Sequence, residues 1–109
     1  MDLAPFSLVE TSPGNHSLLL TEFAPASAVF AEHGVDGGGY AWEAVARYVI
    51  EADHLDGRLG LDPEASMFCA YGEDRDALAA LGRRLAALFH DRAALAAVID
   101  ELGPDAFED

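Results

Sequence analysis

"EHGVDGGGYAWEAVARYVIEAD", residues 32–53, decides how this chain folds. Gly37, Gly38 and Gly39 run straight into a helix-like segment that carries the sole tryptophan, Trp42. As a phosphate loop, the glycines would follow a strand, and the free N–H groups of the helix they open would hold an anion. As a connector, they would join two helices. A Walker-type loop needs a Lys and a Ser or Thr after its last glycine, but Tyr40, Ala41 and Trp42 stand there. Glu32, Asp36 and Glu43 surround the loop with negative charge and offer an anion no cation. The connector reading is retained, with glycine expected to supply positive φ and close backbone approach.

Downstream of the glycines, Trp42, Val45, Ala46, Val49 and Ile50 recur at the spacing of one buried helical face. Glu43, Arg47 and Glu51 fall four apart on the other side as a solvent stripe. Upstream, Pro25 and Ser27 mark a helix start and Gly34 a stop, which predicts a short helix over Ser27–His33. Before it, residues 6–10 and 16–23 are β-like runs joined by Pro13-Gly14, the order a type II turn requires. A second hairpin is predicted from strands at Arg58–Leu61 and Met67–Gly72. Its second strand, "MFCAYG", is apolar on both faces, which predicts a central position.

The last third is helical. Leu78, Leu81, Leu85, Leu88 and Phe89 form one stripe, and Leu95, Val98, Ile99 and Leu102 form another after the N-cap Asp91. Residues 103–109 read as a short acidic tail, expected to be mobile. The order is β-β-α-α-β-β-α-α. It predicts an α+β fold: a mostly antiparallel four-stranded sheet with helices packed on one face. Residues 1–109 are the size of one domain.

Twenty acids face six arginines, with no lysine, and the formal net charge is −14. Such a surface repels nucleic acid and anionic lipid. It would attract a basic partner, or simply keep the domain soluble. No apolar run is long enough to span a bilayer, and "MDLAPFSLVE" lacks the pattern of a signal peptide, so a cytoplasmic protein is expected.

Catalytic patterns are absent. Cys69 sits in an apolar strand, where a thiol is inert packing with a raised pKa. Asp53, His54 and Asp56 gather in one loop without the spacing of a metal motif, so no metal or other cofactor is expected. His90 suits the negative end of a helix better than a catalytic role. Trp42 reads as core, and Tyr40 as a partly exposed contact residue.

The segment "FAEHGVDGGGYAWEAVARYVI", with "LGLDPEASMFCAYGEDRDALAAL" after it, resembles the Immunity protein 51 family of bacterial polymorphic toxin systems. The likeness rests on Phe30, Gly34, Gly38, Gly39, Tyr40, Trp42 and Glu43, the turn Leu61–Asp62–Pro63–Glu64, the strand at Met67–Phe68 and the helix opening at Asp74. It runs from Phe6 to Leu102. It implies a non-enzymatic protein that binds and neutralises a toxin made by its own cell, and it carries over no catalytic residue. Gly34, Gly38, Gly39, Trp42 and Glu43 are then expected to serve the fold. Candidate partner contacts are acids near loops: Glu32 and Asp36 beside Tyr40, then Asp53 and Asp56, then Glu73, Asp74 and Asp76. The loop after the first helix is favoured among them. Two rivals stay open: a small regulatory or ligand-binding module with a pocket between sheet and helices, and an enzyme built on Asp53, His54 and Asp56.

Overall fold

Two hairpins and two helical pairs alternate along the chain in the expected order. The computed structural model describes residues 3–107. Strands β1 (Ser7–Ser12) and β2 (Asn15–Leu20) precede helices α1 (Ala24–Glu32) and α2 (Gly39–Ala52). Strands β3 (Gly60–Leu61) and β4 (Phe68–Gly72) follow, then α3 (Arg75–His90) and α4 (Arg92–Leu102). All pairings are antiparallel, in the spatial order β1-β2-β4-β3. The architecture is the expected α+β one. Helices α2 and α3 pack on the sheet, and α4 packs on both of them and on α1.

Period-two alternation places Leu18, Leu20, Phe68 and Ala70 on the covered face, all at most 1% exposed. Against them lies an aromatic cluster centred on Trp42. Its ring stacks on Phe89 at 5.8 Å and meets Phe6 and Phe30 edge-on, each at 5.6 Å. Such offset and edge-to-face pairs add about 0.5–1.5 kcal/mol each beyond the area they bury. The predicted stripes of α2 and α3 face this core. Of the residues named for them only Ile50 is half-buried, and the rest are buried. The next helix agrees through Leu95, Val98 and Ile99, with Leu102 partly buried.

Helix α1 starts three residues earlier than the sequence predicts, at Ala24 rather than Ser27. Proline fits the first turn, where no N–H is needed, and Ser27 is no cap: its hydroxyl donates back to the Ala24 carbonyl at 2.9 Å. The stop is as read. Gly34 adopts φ +74°, its N–H bonds the Ala31 carbonyl, and the Val35 N–H reaches back to Phe30, which is a Schellman closure. Helix α2 ends the same way, with His54 in the glycine position at φ +58°; Leu55 N–H bonds Ile50 and its side chain is buried.

The triple glycine works differently from its expected role. None of Gly37, Gly38 and Gly39 has positive φ. Their use is close approach alone. The connector presses backbone against backbone on the turn between β3 and β4, and the Gly39 N–H donates to the Ala65 carbonyl at 3.1 Å. A Cβ on Gly38 would lie 2.6 Å from that same carbonyl oxygen, and one on Gly39 would strike the Glu64 carbonyl.

Two further differences are instructive. The expected tail instead folds as a 3-10 turn over Pro104–Phe107, because Phe107 packs on Phe30 at 6.1 Å. Residues 108–109 of the tail lie outside the described residues. Strand β4 is central, but only one of its faces is covered: Tyr71 is 48% exposed.

Gly39→Ala is expected to destabilise by about 3 kcal/mol, since backbone must shift to admit the methyl group. His54→Gly should stabilise by about 0.5–1 kcal/mol, because it relieves a left-handed conformation disfavoured for histidine. Urea unfolding of both variants measures the two effects.

Candidate functional site

The connector that closes α1 leaves Asp36 and Tyr40 at the surface. Val35 and the glycines turn inward, while Tyr40, at the start of α2, is 53% exposed as expected. A cavity of about 290 Å³ opens there, lined by Val35, Asp36, Tyr40, Ala65, Pro104 and Phe107 among others. A smaller one of about 170 Å³ shares His33 and Phe107 with it and reaches Asp100. Both are partly open to solvent. Between sheet and helices, where a ligand-binding module would hold its pocket, the described residues place the aromatic cluster instead.

His33 joins α1 to α4. Its Nδ1 donates to the Val29 carbonyl at 2.9 Å, and its Nε2 stands 3.0 Å from the Asp100 carboxylate. Imidazole offers a donor at both nitrogens only when protonated. The ring therefore titrates above its usual 6.5, held up first by the Val29 hydrogen bond and then by Asp100, against partial desolvation.

The eight candidate contacts, named at three points along the chain, fall into two places. Glu32, Asp36 and Tyr40 sit before α2; Asp53 and Asp56 come after it, roughly 20 Å along the helix. Glu73, Asp74 and Asp76 belong with the second group, because Arg58 of the α2–β3 loop bonds Asp74 at 2.8 Å. Several have structural duties. Asp74 caps α3 by accepting the Ala77 N–H at 3.0 Å, and Arg58 with that N–H holds its carboxyl below the usual range. Asp53 faces Arg84 at 3.5 Å, and Glu32 faces Arg92 at 3.4 Å. Asp36, Asp56, Glu73 and Asp76 are exposed and make no ion pair or side-chain hydrogen bond among the described residues.

Trp42 is fully buried, though its indole N–H lacks a hydrogen-bond partner among the described residues. Glu43 accepts from Arg47 at 2.7 Å on the solvent side of α2.

The groups named for catalysis are dispersed. His54 is an exposed helix terminator, and among the described residues no three His, Cys, Asp or Glu side chains converge to hold a metal ion. Burial pushes the Cys69 thiol up, as expected, while a hydrogen bond with Ser17 opposes this, but the side chain is half-buried on the outward side of the sheet and not packed inside. His90 stands in the last turn of α3, as predicted, and also bonds the Ala4 carbonyl at 2.8 Å.

Sequence reasoning overlooked one surface, the outward side of the sheet, where Val9 and Tyr71 are exposed and Leu19 and Cys69 half-buried. The signal was available: an apolar strand in a sheet covered on one side must expose half of its residues.

These features define a small acidic α+β protein with a filled core. A family model described as Immunity protein 51 matches residues 6–104, and the chain belongs to that family. Membership suggests a toxin-neutralising role, and the family is in general non-enzymatic. No curated protein and no solved structure matches the chain. Among the described residues no helix is long and apolar enough to cross a membrane.

His33 gives a pH test. Its folded pKa is raised, so its contribution is complete below about pH 6.5 and disappears as pH climbs through the folded value. The stability advantage of wild type over His33→Gln, followed by urea unfolding, is expected to be largest below about pH 6 and to shrink to a plateau above about pH 8.

Proposed function

We propose that this protein acts in the cytoplasm of a bacterium, as part of a polymorphic toxin system, where it binds the cognate toxin domain and blocks its active site or substrate groove. The observation that carries the reading is the family match over residues 6–104. The charge distribution supports it. Among the described residues Arg47, Arg58, Arg84 and Arg92 already face acids within the molecule. Asp36, Asp56, Glu73 and Asp76 thus remain as an anionic exterior with little local compensation. A basic toxin surface would be drawn to it by long-range attraction, and rim charges of this kind raise the association rate more than the final affinity. No bond is made or broken in this mechanism. The complex excludes substrate by occupying its place.

Co-expression of the toxin domain encoded in the neighbouring reading frame is the direct test: growth should stop without this chain and resume with it. Neutralising Asp36, Asp56, Glu73 and Asp76 to their amides should slow association about tenfold at low salt. The difference should close at high salt, where the attraction is screened. Stopped-flow association over a salt series measures this, and identical low-salt rates would exclude steering by these acids.

A further inference from the structure

An antiparallel sheet covered on one side normally turns polar residues outward on the other. This sheet does so only in part, with Val9, Leu19, Cys69 and Tyr71 outward beside Ser7 and Ser17. The pairing aligns Val9, Ser17, Tyr71 and Gly60 in one row across the four strands, and Ser7, Leu19 and Cys69 in the next. Val9 is 39% and Tyr71 48% exposed, and only Tyr40 joins them as an exposed large hydrophobic residue among the described residues. The Tyr71 ring lies down over Gly60, where an added Cβ would come within 2.5 Å of it. The flattened ring and the small Ser17 beside it leave a shallow apolar surface, the kind that marks an interaction site.

Charge identifies what covers it. No arginine occurs in any of the strands. Exposed Asp62 and Glu73 stand at the borders, and the Asp62 N–H bonds the Cys69 carbonyl at 2.9 Å, which fixes that acid beside the patch. Arg58, near Gly72, is already bonded to Asp74. A second copy would bring the same acids against themselves in a chain of net charge −14. A cationic protein with an apolar centre to its contact surface fits both features.

We propose that the open face of the sheet, centred on Val9, Leu19, Cys69 and Tyr71, is the surface on which the cationic toxin domain docks. The inference rests on the toxin-neutralising reading and adds the contact surface to it. The apolar centre holds the complex, and the surrounding acids orient it.

The single cysteine makes the native protein its own probe. The full chain is mixed with the neighbouring toxin domain, inactivated by mutation, and Cys69 is alkylated with N-ethylmaleimide. In the saturated complex the rate should fall tenfold or more, roughly as access is lost. Val9→Arg puts a cation on an exposed edge residue, so it should leave the melting temperature unchanged and weaken binding roughly thirtyfold or more, as measured by calorimetry. An unchanged alkylation rate in the complex, or wild-type affinity in Val9→Arg, overturns the assignment while leaving toxin binding intact. A wild-type homodimer that Val9→Arg dissociates overturns it in favour of self-association. If the wild-type chain fails to bind the toxin domain and fails to restore growth, the functional reading falls and this surface with it.

Discussion

Backbone lies on backbone where the α1–α2 connector meets the β3–β4 turn, and the rest of the structure depends on that contact. The Gly39 N–H bonds the Ala65 carbonyl, and a side chain at Gly38 or Gly39 would push the two segments apart. Because Gly39 is also the first residue of α2, the approach sets the distance of the helix from the sheet. Trp42 follows within one turn and arrives at the centre of the aromatic cluster. Its N–H is buried without a partner among the described residues, an omission that costs about 1–3 kcal/mol. Burial of a ring with three aromatic neighbours offsets a cost of that size. Trp42 is thus held by packing and not by polar bonds.

Electrostatics organises the ends of the elements and leaves the middle to packing. Asp74 and Asp91 cap α3 and α4 through backbone N–H groups, an arrangement worth about 1 kcal/mol per cap. The exposed arginine pairs contribute little to stability one by one. Their larger consequence is to keep positive charge off the strands: Arg47, Arg84 and Arg92 lie in the helices and Arg58 in the α2–β3 loop, and each faces an acid. Arg58 comes near the sheet at Gly72, but there it is bonded to Asp74.

Most of the fold was legible because each element carried its own local signal. Helical periodicity at Trp42–Ile50 and at Leu78–Phe89, the turn glycines and the caps Asp74 and Asp91 are all short-range features. The errors came from long-range packing. Phe107 is held by Phe30, far away in sequence, so the end of the chain looked like a tail. The connector glycines are required by Glu64 and Ala65, which no local pattern links to them, so positive φ was credited where close approach acts. The site was less legible than the fold. Acids could be counted but not told apart: Asp74 and Asp53 turn out to face arginines in the folded chain, whereas Asp36 and Glu73 do not.

The apolar outward face of the sheet poses a problem that the fold alone does not answer. Leu19 and Cys69 sit outward on the central strands, next to Val9 and Tyr71, where polar residues would keep the sheet equally well paired. Nothing in the core requires them, since Leu18, Leu20, Phe68 and Ala70 already fill the inner side. Edge pairing with another sheet is opposed on one side by the shortness of β3 and on the other by the irregularity between Glu10 and Ser12 in β1. The exposed face is therefore unsuited to strand addition but open to a surface laid across it. In a chain this acidic, such a face discriminates by charge before contact and by shape after it. On the toxin-binding proposal, that sequence of events would let a small protein select one basic partner.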